Sequence, residues 1–134
     1  MRVALCVDDL GGMLFNGRRQ SRDRVLIADL LREAAPARLL ISPFSADLFG
    51  ADAVTASADF LQTAGAGELC FVENVPLAPH ADRIDELILY RWNRRYPRDL
   101  TLDLDPLAAG LRLVEQTALA GYSHENITKE RYVR

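Results

Sequence analysis

The sequence predicts a mixed α/β domain: a sheet with a mostly parallel centre, an antiparallel C-terminal hairpin and flanking helices. Three features of the chain point there. In the first half, short apolar runs alternate with amphipathic stretches, as in parallel strands joined by crossover helices. Towards the end, two strand-like runs flank "GYSHEN" (121–126), the pattern of an antiparallel hairpin. The length, 134 residues, suits one domain (1–134) with a single buried core.

The elements follow in order. "RVALCV" (2–7) is an apolar run halted by Asp8-Asp9 and Gly11-Gly12, hence a buried strand feeding a loop. Ser21 is placed as a helix N-cap, with Asp23 in the first turn, where its charge suits the positive helix end. Val25, Leu26, Asp29 and Leu30 keep helical spacing as far as Glu33, and Pro36 closes the segment. "RLLIS" (38–42) is a second buried strand, and "SADLFG" (45–50) a capped helical turn stopped by Gly50. "VTAS" (54–57) reads as a third, short strand, "ADFLQTAG" (58–65) as a short helix and "ELCFVEN" (68–74) as a further buried strand. "LAPHADRI" is a loop or short helix; "DELILYRWNRRYP" (85–97) is a long strand, alternating in its second half.

Composition narrows the function classes. A net charge of −3 and a pI near 5.3 argue against a general polyanion binder, so nucleic acid is a disfavoured partner. Of the 16 basic residues only Lys129 is lysine. Arginines cluster at Arg18, Arg19, Arg22 and Arg24 and again at Arg91, Arg94, Arg95 and Arg98. The planar guanidinium fork suits carboxylate or phosphate, so the clusters are candidate anion sites; solvated surface charge is the competing reading. Cys6 and Cys70 sit inside strands as small hydrophobes, and neither they nor the two histidines are spaced to hold a metal. "MRVALCVDD" meets Asp8 too early for a signal-peptide core, and no apolar run reaches the ~20 residues of a membrane span, so a cytoplasmic protein is expected.

The order of these elements resembles the dihydrofolate reductase family across most of the chain. "VDDLGGMLFNG" resembles its first strand and active-site loop, and "RLLISPFSADLFG" its second strand running into a helix. "ELCFVEN" stands where the family has a strand ending in a Gly-Gly pair. "DELILYRWNRRYPRDLTLDLDP" and "LRLVEQTALAGYSHENITKERYVR" resemble its later long strand and its closing hairpin.

The resemblance implies changes in the chemistry. The family's loop tryptophan falls near Arg18 or Arg19, and its helix carboxylate falls at Arg24, one residue from Asp23. A guanidinium supplies only donors, so pterin reduction is expected to be lost unless Asp23 takes over as the acid. Glu73-Asn74 replace the Gly-Gly pair, and Ser42-Pro43 replace a Gly-Arg, while Ser45 stands at the family's threonine as either a ligand contact or a plain N-cap. NADPH is accordingly disfavoured as a cofactor. A strand is also missing after Gly50, which leaves a narrower sheet or an open edge that invites a homodimer.

The expected function is therefore a non-reductase binding module. Arg18, Arg19, Gln20 and Arg24, facing Glu73 and Asn74, would hold a small anionic or nucleotide-like ligand, with Ser45 and Tyr90 as further contacts. An internal salt-bridge network explains the same residues equally well. Two alternatives are an NAD(P)H-dependent reductase using Asp23, and an interaction protein that dimerises or binds RNA. The RNA reading rests on Tyr90, Trp92 and Tyr96 alternating with arginines, a pattern more cheaply explained as a half-buried strand face. His80 and His124 read as loop and turn residues.

Overall fold

Val3, Leu5 and Val7 alternate with Ala4 and Cys6 along β1 (Arg2–Val7), and the two sets pack into different cores. The computed structural model, which describes residues 1–134, accordingly sets this strand in the middle of the sheet with both faces covered. The elements that follow are β2 (Gly12–Phe15), β3 (Arg18–Arg19), α1 (Arg24–Ala34), β4 (Leu39–Ile41), β5 (Val54–Ala56) and α2 (Phe60–Thr63). After them come β6 (Leu69–Phe71), β7 (Glu86–Arg91), β8 (Leu100–Thr101), β9 (Arg112–Leu119) and β10 (Ile127–Val133). Short 3-10 helices occupy Pro43–Leu48, Ala51–Ala53 and Ala78–Arg83.

The main sheet runs β5-β4-β6-β1-β7-β10-β9. Neighbours from β5 to β7 are all parallel; β10 is antiparallel to both β7 and β9. One core lies on the α1 face, where Leu26, Leu30 and Ala34 meet Ala4, Ile41 and Ile88. Each of the larger of these side chains gains about 1.5–3 kcal/mol from leaving water. The other core gathers Val3, Leu5, Val7, Phe60, Leu87 and Leu89. No helix is long and apolar enough to cross a membrane.

Four expectations are corrected. The segment after Asp8 is not only a loop, because β2 turns at Asn16-Gly17 into β3 and forms a small second sheet with β8. Both turn residues have positive φ (55° and 68°), the demand that makes Asn-Gly a hairpin signal. The helix cap is Asp23 rather than Ser21: its Oδ1 accepts from the N–H groups of Val25 and Leu26. Ser45 is not a cap either, since it lies inside the 3-10 turn that begins at Pro43. Finally, β7 stops at Arg91 and Asn93 takes a φ of 59°, so no arginine-aromatic strand face runs on to Tyr96. Tyr90 and Trp92 are buried instead.

Candidate functional site

The parallel strands β1, β4, β6 and β7 end together, and at their carboxyl ends open α/β sheets keep their crevice. Asp8, the first residue beyond β1, organises this end. Its Oδ1 accepts from the N–H groups of Leu10 (2.9 Å) and Gly12 (2.7 Å). Its Oδ2 accepts from Gln20 Nε2 and the Tyr96 N–H. Burial pushes the Asp8 carboxyl up, but the N–H groups of Gly12, Leu10 and Tyr96 and the Arg98 charge outweigh it and hold it below its ordinary range. The β1–β2 loop, Gln20 and the segment after Trp92 are thereby tied to one ionised carboxylate.

Arg19 crosses the crevice. Its Nε and Nη2 grip the two oxygens of Glu73 at 2.9 and 3.1 Å, and Nη1 and Nη2 reach Asp47 at 2.9 and 3.0 Å. The guanidinium also lies over the Phe44 ring, 5.2 Å from its centre. Glu73 is completed by the buried Ser45 hydroxyl, which donates to Oε1 at 2.7 Å. Asn74 beside it accepts from Ser42. Of the residues expected to meet here, Arg19, Ser45 and Glu73 do so. Arg18 stays exposed on β3, Arg24 lies over the Tyr122 ring at 3.7 Å, and Tyr90 is buried on the α1 face, donating to Asp29 at 2.6 Å.

A second cluster was not foreseen. The turn before β10 carries His124 inward, where it is 6% exposed and stacked against Trp92 with ring centres 4.5 Å apart. His124 Nδ1 lies 3.2 Å from Asp23 Oδ2, and Nε2 lies 2.7 Å from Ser21 Oγ and 3.2 Å from the Tyr96 hydroxyl. Asp23 also accepts from the N–H groups of Tyr122, Ser123 and His124. Burial alone would raise the Asp23 carboxyl; these N–H groups, the imidazole and the Val25 N–H hold it well below the usual carboxylate range. Asp23 is thus a fixed anion without a proton to donate, with the His124 ring beside it. The one sequence signal was Gly121, where an added Cβ would lie 2.5 Å from the His124 carbonyl and 2.7 Å from Asp23 Oδ2.

Between the clusters lies a narrow cleft lined by Cys6, Arg19, Ser21, Asp23, Glu73 and Trp92. Its free volume of about 20 Å³ is enough for one water and too small for a flat heterocycle. It continues outward along Arg22, Ile27 and Leu48 into an open groove of about 450 Å³ bordered by Arg24, Tyr122 and Ser123. A groove of about 510 Å³ on the other side is bordered by Arg18, Arg19, Gln20 and Tyr96. Gln20 Nε2 donates to Asp8 and to the Pro97 carbonyl, which fixes the amide orientation and leaves Oε1 buried without a partner. Burial, then the Glu73 charge, pushes the Cys6 thiol well above its ordinary value.

No protein-family model and no curated protein sequence matches the chain. The fold matches a solved structure of dihydrofolate reductase from Enterococcus faecalis, complexed with NADP(H) and RAB-propyl. That match has a TM-score of 0.71 and covers 99% of this chain and 95% of that one at 10% identity. The likeness at that identity establishes the architecture, a divergent dihydrofolate reductase-like fold, and nothing about the chemistry.

Proposed function

Starting from a dihydrofolate reductase-like fold with a rebuilt crevice, we propose that this protein is a binding module for a small anionic or nucleotide-like ligand, without reductase activity. The observation that carries this reading is the division of labour among the arginines. Arg19 is committed to Glu73 and Asp47, whereas Arg18, Arg22 and Arg24 border the grooves and take part in no ion pair. Unpaired guanidinium forks around a concave surface suit phosphate or carboxylate. Ile27, Leu48 and Tyr122 offer an apolar wall beside Arg22 and Arg24, in a groove of the size that takes a small ligand. On the opposite groove, bordered by Arg18 and Tyr96, Gln20 Oε1 is buried without a partner.

Against a pyridine-nucleotide role stands the Glu73 carboxylate, which lies where the family resemblance puts a glycine pair and is already held by Arg19 and Ser45. NADPH does not fit these residues. A second reading, self-association, rests on β9, whose residues are exposed from Arg112 to Ala118 and include Leu113 and Val114, each 45% exposed. Light scattering at two concentrations separates it from the first.

The test of the main reading is a thermal-shift series with AMP, inorganic pyrophosphate and NADPH. AMP and pyrophosphate are expected to raise Tm. Arg22→Ala with Arg24→Ala should weaken binding by about 10–100-fold for each charge-assisted hydrogen bond removed. A response to NADPH alone would reverse the proposal.

A further inference from the structure

We propose that Ser21, His124 and Asp23 form a nucleophile relay, and that Ser21, at the wall of the narrow cleft, takes the acyl group of a small carboxylic ester whose alcohol part stays outside the cleft. Asp23 only accepts hydrogen bonds, so the imidazole Nδ1 facing it at 3.2 Å carries the proton. Nε2 is then an acceptor, and Ser21 Oγ sits 2.7 Å from it, half-buried, on the wall of the cleft. Base and nucleophile within hydrogen-bond reach, with the base oriented by a third group, is the arrangement that activates a serine hydroxyl.

The ring cannot easily turn away. Trp92 stacks on it, and Asp23 and the Tyr96 hydroxyl lie against its two nitrogens. Asp23 caps α1 and gathers the N–H groups of residues 122–124, so it doubles as the positioning residue for His124. A structural Asp-His contact would explain the turn, but not a serine hydroxyl placed on the opposite nitrogen at the cleft wall. The backbone N–H groups of Ser21, Arg22 and Asp23 donate to no backbone carbonyl.

In the first step Ser21 Oγ bonds to the acyl carbon and its proton passes to His124 Nε2. The carbon–oxygen bond to the alcohol breaks, and the same proton goes to the departing oxygen. Water then adds to the acyl-serine, again giving its proton to Nε2. Collapse returns that proton to Ser21 Oγ and releases the acid, so one ester and one water become one acid and one alcohol. An acid group on the substrate would be held by Arg22 and Arg24 in the adjoining groove, a preference that rests on the binding reading above.

The full-length chain treated with p-nitrophenyl acetate is expected to release a nitrophenol burst, with one acetyl group mapped by mass spectrometry to Ser21. Ser21→Ala should abolish that label while keeping the parental Tm, Ser21→Cys should restore it, and His124→Gln should slow it by about 100-fold or more. Mono-p-nitrophenyl succinate supplies the anionic counterpart. Labelling of Ser21 by both esters with no preference for succinate keeps the relay and removes the arginine rim. Ligand-induced Tm shifts with no acetyl on Ser21 of the folded parent keep the rim and overturn the relay. Equal labelling of the parent and Ser21→Ala also overturns it.

Discussion

Asp23 and His124 stand 101 residues apart in the chain and meet with 3.2 Å between Oδ2 and Nδ1. The contact ties the start of α1 to the turn before β10, the last strand of the chain. It depends on a turn in which Gly121 leaves no room for a side chain.

Gly121→Ala tests that dependence. Its Cβ would press on the His124 carbonyl and on the Asp23 carboxylate, which several hydrogen bonds hold in place. Urea denaturation should show a loss of about 1–3 kcal/mol. Gly50→Ala, where nothing lies within 4 Å of the new Cβ, should stay within about 0.5 kcal/mol. Equal losses at the two sites would mean that the turn is not tightly packed.

Arg19→Ala should cost about 2–4 kcal/mol, because it strands the 9% exposed Glu73 without its cation. Adding Glu73→Gln to that variant should recover part of the loss. A double-mutant cycle by chemical denaturation should give a coupling of about 1–3 kcal/mol. Strict additivity would show that the pair contributes no mutual stabilisation.

Acid should weaken the fold through Glu33. Burial pushes this carboxyl up, but Arg131 and Lys129 overcome it and bring it from 4.5 to about 2. A depressed folded value means that the stabilisation is fully present above the unfolded pKa and is lost as pH falls through the folded one. The window is therefore about pH 4.5 down to 2, worth on the order of 3 kcal/mol before solvent screening reduces it. Glu33→Gln should lower stability at pH 7 and flatten that limb of the denaturation profile. Asp23 is depressed further still, so its loss continues at lower pH. An unchanged acid limb in Glu33→Gln would count against the Lys129–Glu33–Arg131 cluster.

Local signals explain which parts of this structure the sequence discloses. Apolar runs such as "VALCV" and "ELCFV" are buried on both faces, so they are legible as parallel strands. The Asn16-Gly17 hairpin is equally local but is hidden behind two glycines that read as loop. Ser21 and Asp23 are both good cap residues, and only the backbone decides that Asp23 caps while Ser21 faces the cleft. Glu73 is legible as a partner for nearby arginines because a carboxylate ending a buried strand needs a cation. His124 is not, because its burial depends on Trp92, Tyr96 and Asp23, three residues distant in sequence from "GYSHEN".

A backbone amide NMR titration of the intact protein with AMP probes the proposed binding groove most directly. Shifts concentrated at Arg22, Asp23, Arg24, Tyr122 and Ser123, reduced in Arg22→Ala with Arg24→Ala, are the predicted result. Shifts confined to the β9 edge, or none at millimolar AMP alongside saturable changes with NADPH, would contradict it.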